Sequence, residues 1–138
     1  MALTSITNIK DALQAQFISD WAAQTEVSYD NDDYGPPNDD TPWVRFSIQF
    51  DDGEQVSMGG TGSRGFRYYG WIVVQVFTPI GNGKTSDNDG YCENAKNIFE
   101  GESISGIWFR DAHIRYVGPD GKWFQQNVNA QFIYTITK

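Results

Sequence analysis

The sequence predicts an α+β fold, in which an antiparallel sheet of about four strands carries two helices packed on one face. Two stretches have apolar residues at every third or fourth position, which is the period of an amphipathic helix. Four other stretches either alternate apolar and polar residues or are apolar throughout, which is typical of strands. A chain of 138 residues is long enough to bury one core, so residues 1–138 are expected to form a single domain.

Both helices are predicted from their apolar stripes. The first covers about residues 4–24 and the second about 12 residues that follow position 86. Ser86 is the expected N-cap of the second helix, and Gly101 is its expected end. The stripes consist of Leu3, Ile6, Ile9, Leu13, Phe17 and Trp21 in the first helix, and of Tyr91, Ala95, Ile98 and Phe99 in the second.

The four predicted strands are WVRFSIQF, WIVVQVFTP, GIWFRDAHIRYV and KWFQQNVNAQFIYTIT. TEVSY reads as a short extended run, DDGEQ as a turn and GPDG as a hairpin turn. VSMGGTGSRGFRYYG reads as a strand end with a long, Gly-rich hairpin tip. One face of the last strand carries uncharged amides, so this side of the sheet tolerates water and is also suited to meeting another chain.

Composition excludes several functions. A net charge of −8 disfavours sequence-specific nucleic-acid binding, because such a surface repels phosphates. The single cysteine, Cys92, permits no intrachain disulfide and is compatible with a reducing cytoplasm. No signal peptide is expected at the N-terminus, and no membrane association is expected, because the longest apolar run, WIVVQVF, has seven residues.

The segment Gly83-Lys84-Thr85 resembles the end of a phosphate-binding P-loop. A P-loop requires a glycine five positions before its second glycine, and Thr78 stands there instead. Asp87 and Asp89 would also lie where a phosphate should bind. We therefore interpret this segment as an ordinary loop between a strand and a helix.

No catalytic or metal-binding constellation is found. The same region fits a calcium loop poorly, because Lys96 stands where a bidentate glutamate is required. His113 is the single histidine and has no nucleophile motif to serve, while Cys92 is interpreted as a packing residue of the second helix. The chain is therefore expected not to be an enzyme, and to need no cofactor or metal.

Aromatic residues leave one alternative function open. Four tryptophans lie on predicted strands and would suit a sugar-binding surface, so a carbohydrate-binding module is a rival hypothesis. These residues are Trp43, Trp71, Trp108 and Trp123. Aromatic side chains on strands are also common in cores and interfaces.

The Gly-rich hairpin is the predicted interaction site. Arg64, Arg67, Tyr68 and Tyr69 stand among glycines, and Arg and Tyr are enriched in protein interfaces. The segment of residues 30–40 is a predicted acidic loop with five aspartates. A basic tip and an acidic loop on one chain would allow copies to pair head-to-tail, and such contacts can close into a ring. A plain solvated hairpin tip is the alternative.

The chain resembles the tail terminator, or tail-completion, proteins of long-tailed phages with non-contractile tails. The resemblance begins with the N-terminal helix and TPWVRFSI, and it is most specific in GSRGFRYYGWIVVQVFTPIGNGKTSDNDGYCENAKNIFEG. There an Arg-containing, Gly-rich tip leads into a strand, a Pro-x-Gly-x-Gly loop and a helix. The resemblance covers nearly the whole chain, although the acidic DNDDYGPPNDD loop has no counterpart.

This resemblance implies a structural, non-enzymatic subunit without cofactors. Such subunits assemble as a homo-hexameric ring on the head-proximal end of the tail in the virion, after synthesis in the host cytoplasm. The ring ends polymerisation of the major tail tube protein and offers a surface to the head connector. A different head-tail joining protein of the neck is the nearest alternative. The acidic charge would suit a DNA conduit whose walls do not bind DNA.

Overall fold

A computed structural model describes residues 6–29, 41–81 and 86–137 of the chain. Within these ranges the chain forms two helices and six strands. In chain order they are α1 (Ile6–Trp21), β1 (Glu26–Tyr29), β2 (Trp43–Gln55), β3 (Gly65–Pro79), α2 (Ser86–Phe99), β4 (Ser103–Ile104), β5 (Ile107–Asp120) and β6 (Trp123–Thr137).

All six strands belong to one sheet, in the order β1-β2-β3-β6-β5-β4. β1 runs parallel to β2, and the other neighbouring strands pair antiparallel. The sheet curls into half a barrel and makes up most of the structure. The predicted fold class, α+β with an antiparallel sheet of about four strands and two helices packed on one face, is therefore wrong, because the structure is mostly a six-stranded, mixed sheet.

The prediction fails at the two edges of the sheet. β1 has four residues and β4 has two, which is too few for a period in the sequence to reveal a strand. A parallel neighbour also needs a long connection, and the sequence of residues 30–42 does not say beside which strand the chain returns. Short edge strands are stabilised by tertiary pairing rather than by their own pattern.

Two predicted turns are also misplaced. DDGEQ is the end of β2, which continues to Gln55 through a bulge where Asp51 and Asp52 together face one residue of β3. The turn between β5 and β6 consists of Gly121 and Lys122, because residues 118–120 still pair with β6. Gly121 supplies the positive φ of 63° that this tight turn requires.

Both open sides of the sheet are interrupted by bulges. On one side lies the bulge of β2 just described. On the other side β5 shifts its register against β6 between Phe109 and Ala112, and again between Tyr116 and Gly118. β4 pairs with β5 only at Ile107 and Trp108. Residues 100–102 still hydrogen-bond to β5 at Phe109, Arg110 and Ala112, and beyond these no strand among the described residues covers the outer side of β5.

Helix α1 confirms the predicted N-terminal helix, although residues 4 and 5 lie outside the described ranges. Four residues of its stripe are 0–1% exposed, and they are Ile9, Leu13, Phe17 and Trp21. The helix ends because Ala22 and Ala23 take positive φ angles of 53° and 56°. Alanine rarely adopts this conformation, and here Gln24 caps the helix end, since its backbone N–H and its Nε2 both donate to Trp21 O.

Helix α2 confirms the second predicted helix and its predicted end at Gly101. Asn88, Cys92, Ala95 and Phe99 are 0–1% exposed and face the sheet. Gly101 follows the helix with a φ of 72°, as expected of a residue that ends a helix. The residues before the helix, 82–85, and the side chain of Ser86 are outside the described part, so the N-cap stays a prediction.

One face of the sheet and both helices share a buried core in which aromatic rings predominate. Phe17 stacks on Trp21, Phe46 and Phe99, with ring centroids 4.6–6.2 Å apart. The opposite face of the sheet, here called the second face, carries partly buried amides in its middle, on residues such as Gln75, Asn127, Asn129 and Gln131. Neither described helix is long and apolar enough to cross a membrane.

Candidate interaction site

The four predicted interface residues lie at the end of the sheet formed by β2 and β3. Arg64 precedes β3, and its guanidinium lies 6.0 Å from the centroid of the Phe66 ring. The other three belong to β3 itself, so they are held by strand pairing rather than carried on a free tip. The predicted tip is confined to residues 56–64, which join the two strands.

Because side chains alternate along a strand, these residues do not share one face. Tyr68 faces the core, where its ring stacks on Tyr134 at 5.3 Å. Gly53 lies opposite Tyr68, and a β-carbon at that glycine would stand 2.3 Å from the tyrosine ring. Tyr68 therefore packs the fold, whereas Arg67 and Tyr69 point to the second face.

On the second face Arg67 and Tyr69 line a pocket of about 370 Å³. Strand register explains how the pocket forms. Tyr69 of β3 is level with Ile133 of β6, which is level with Trp108 of β5, and Arg67 is level with Thr135. We call this site the basic pocket, and its main lining residues are Arg67, Tyr69, Trp108, Arg110, Ile133 and Thr135.

The basic pocket is cationic and aromatic. Arg67 and Arg110 are exposed, and neither makes an ion pair with any residue that the structure describes. Trp108 is 65% exposed, a large apolar surface for a residue on a strand. Tyr69 donates a hydrogen bond from its hydroxyl to Glu54 Oε1 at 3.3 Å, which fixes one wall. Guanidiniums beside exposed rings suit a carboxylate carried on a protein surface.

Two of the four predicted interface residues, Arg67 and Tyr69, line this pocket, whereas Trp108 and Arg110 were not predicted to be near them. Trp108 and Arg110 reach Arg67 only through the pairing of β5 with β6 and of β6 with β3. The bulge between Phe109 and Ala112 sets which residues of β5 lie there, and a bulge of this kind has no signature in the sequence. The feature of the sequence that could have indicated these two residues is that Arg110 follows Trp108 by two positions, which places both side chains on one face of a strand.

The tryptophans do not form a sugar-binding row. Trp43 and Trp123 are 3% and 7% exposed, and they pack with Phe77 in a small cluster at the other end of the second face. Trp71 is partly buried. Among the four tryptophans, Trp108 alone presents a broad surface to solvent. One exposed ring does not form the row of rings that the carbohydrate-binding hypothesis requires.

The other residues considered for chemistry stand apart from the pocket. His113 is exposed on β5. Among the described residues no group of three or more His, Cys, Asp or Glu side chains could hold a metal ion. The P-loop-like Gly83-Lys84-Thr85 and the acidic loop of residues 30–40 lie outside the described residues.

Cys92 is buried, and its environment leads to a pH prediction. Burial, and then the charge of Asp89, raise the pKa of the Cys92 thiol from 9.0 to about 12. Above pH 9 the unfolded chain loses this proton while the folded chain keeps it, so the free energy of unfolding should fall as pH rises to 12. We expect a fall of about 1 kcal/mol per pH unit, and the slope should be shallower in Cys92→Ser when both proteins are unfolded in urea. Equal slopes would contradict the assignment.

No protein-family model and no curated protein matches the sequence. Several chains of known structure share its fold, among them the following two. One, named only by a sequence identifier, has a TM-score of 0.63 and 18% identity, covering 90% of this chain and 94% of that chain. The other belongs to the virion of a native gene transfer agent particle, with a TM-score of 0.53 and 16% identity, covering 94% of this chain and 95% of that chain. The likeness concerns the fold, which therefore also occurs in a chain of a virion.

Proposed function

We propose that this chain is a structural protein of a phage-like virion, and specifically a tail terminator. The supporting observation is the match in fold to a chain of a gene transfer agent virion, which extends over 94% of this chain and 95% of the other. Gene transfer agents are phage-like particles. A match over both full lengths favours a shared role for the whole subunit more than a shared fragment would.

In this proposal copies of the chain form a hexameric ring on the last ring of the tail tube. The ring prevents further addition of the tube protein and presents its far side to the head connector. The resemblance of the GSRGFRYYG segment to tail terminators favours this position over another neck position. No catalysis and no cofactor are needed, because capping is a matter of surface complementarity.

The charges of the chain are compatible with a ring around passing DNA. The chain as a whole has a net charge of −8. A surface of net negative charge does not attract a phosphate backbone, so DNA would slide past it. The arginines of the second face would attract phosphate, so we expect that face to point away from the DNA.

The experiment that tests the proposal is a tube-length assay. The tail tube protein of the same particle is polymerised with increasing amounts of this chain, and tube lengths are measured by negative-stain microscopy. A tail terminator shortens the tubes and is found at one end. If tube lengths do not change while the chain binds purified heads or connectors, it is a neck protein. Binding to neither would reject both roles.

A charge reversal should disrupt assembly without unfolding the subunit. Arg64→Glu together with Arg67→Glu places two negative charges at the end of β3, and we expect ring formation or joining to the tube to fail. Lys10→Glu together with Arg115→Glu is the control, because it changes the net charge equally at other exposed positions. Native mass spectrometry and the tube assay provide the readout, and circular dichroism verifies folding. Normal assembly of the first variant would remove these arginines from the interface.

A further inference from the structure

We propose that copies of this chain associate head-to-tail, and that the acidic edge of one copy binds in the basic pocket of the next. The acidic edge consists of Asp51 and Asp52 at the open end of β2. The inference rests on the proposed function for the existence of a ring, and it deepens that function by naming the two surfaces that join neighbouring subunits.

The basic pocket has one carboxylate of its own chain at its margin, Glu54, which accepts a hydrogen bond from Tyr69 and lies opposite Arg67 in the β2–β3 pairing without forming an ion pair with it. Arg67 and Arg110 make no ion pair within the described residues, although the chain has 18 acidic residues against 10 basic ones. The two guanidiniums stand on β3 and β5, with β6 between them, and each can bind a carboxylate through paired hydrogen bonds. The exposed ring of Trp108 adds apolar area that a second protein surface would cover.

The acidic edge is free to enter such a pocket. β1 pairs with β2 only from Trp43 to Phe46, so no strand among the described residues lies outside the end of β2. Residues 51–55 are exposed. The bulge at Asp51 and Asp52 places two consecutive carboxylates beside one residue of β3, which brings both to the same short stretch of edge.

The two surfaces lie at the same height on opposite sides of the sheet. Phe50 is level with Gly70, Gly70 with Phe132, and Phe132 with Phe109. Asp51 and Asp52 follow Phe50 on one side, while Trp108 and Arg110 flank Phe109 on the other. A neighbouring copy can therefore join without a shift along the strands, since the acidic edge and the pocket are already level.

This equal height favours a closed ring. A head-to-tail contact repeats the same rotation from copy to copy, and it closes when the rotation carries no rise along the axis. The sheet is curled, so successive copies turn instead of forming a straight row.

The test is a pair of opposite charge reversals. The pocket variant carries Arg67→Glu and Arg110→Glu, and the edge variant carries Asp51→Lys and Asp52→Lys. Each variant alone brings like charges together, so we expect its apparent dissociation constant to rise at least about 100-fold above that of the wild type. Native mass spectrometry over a range of protein concentrations measures this rise.

Mixing the two variants should restore assembly. In an equimolar mixture each acidic pocket meets a basic edge, and each basic pocket meets an acidic edge, so the chains alternate around a ring with an even number of subunits. A mixture of the edge variant with the Lys10→Glu, Arg115→Glu control should not form this strictly alternating species. Neutral variants, with Arg→Gln or Asp→Asn at the same positions, should weaken assembly less than the charge reversals do. They replace a charge-reversed variant that fails to fold.

The outcomes separate this inference from the proposed function. The inference is overturned if the wild type stays monomeric at high concentration, if either variant assembles like the wild type, or if the folded variants fail to rescue each other. None of these results by itself prevents the wild type from shortening tail tubes. Conversely, the two variants could rescue each other's ring formation while the wild-type chain leaves tube lengths unchanged. That result would reject the terminator role and support the proposed interface.

Discussion

Asn88→Ala is expected to lower the free energy of unfolding by about 3 kcal/mol, since it removes a buried network of hydrogen bonds. Asn88 is 1% exposed in the first turn of α2. The two hydrogens of its Nδ2 are shared among three acceptors, which are Val76 O at 3.2 Å, Thr78 Oγ1 at 3.1 Å and Phe124 O at 3.1 Å. Its Oδ1 accepts from Gln126 Nε2 at 2.9 Å. This one side chain therefore ties the helix to both central strands, β3 and β6.

Alanine at this position would leave these polar groups without Asn88 and open a small cavity beside Cys92. Urea unfolding followed by tryptophan fluorescence measures the effect. Asn94→Ala is the matched control on the same helix, because Asn94 is exposed and its Nδ2 donates a hydrogen bond to Gln24 Oε1 at 2.7 Å. We expect the control to lose less than about 0.5 kcal/mol. Similar losses in the two variants would show that the network contributes little.

Gly70→Ala is expected to destabilise the protein by about 2–3 kcal/mol. Gly70 is buried in β3, and a β-carbon there would stand 2.3 Å from Cζ of Phe132 and 2.8 Å from the backbone oxygen of Gln49. The ring of Phe132 is itself 0% exposed in the core, so it has little room to move away. The added methyl group must displace either the ring or the neighbouring strand.

Gly90→Ala adds the same methyl group as Gly70→Ala, but we expect it to stabilise the protein. Gly90 lies in α2 with no heavy atom within 4 Å of its added β-carbon, so alanine should stabilise the helix by about 0.5–1 kcal/mol. Thermal unfolding of both variants gives the comparison. A Gly70→Ala protein as stable as the wild type would mean that Phe132 does not occupy the space against β3.

The sequence predicted the long elements because their patterns are long. Alternation in WVRFSIQF identified most of β2, and Val44, Phe46 and Ile48 do face the core. The edges of the sheet were missed because pairing with a neighbour, not a local pattern, makes β1 and β4 strands. The class was therefore wrong even though each long strand was present.

The candidate site was predicted in part for a related reason. Arg67 and Tyr69 stood out through their composition, whereas Tyr68 was grouped with them although alternation places it in the core. Arg110 and Trp108 join the pocket only through register, and two bulges in β5 set that register. A bulge changes which face a residue occupies without changing the composition around it.

The bulges on both open sides of the sheet also bear on solubility. A regular edge offers a ladder of backbone groups on which another strand can grow, and this is how sheets aggregate. In this chain a bulge at Asp51 and Asp52 interrupts the regular pairing of β2, and two bulges interrupt that of β5. The bulges therefore interrupt the backbone ladder on both sides of the sheet, so the backbone resists indefinite fibre growth.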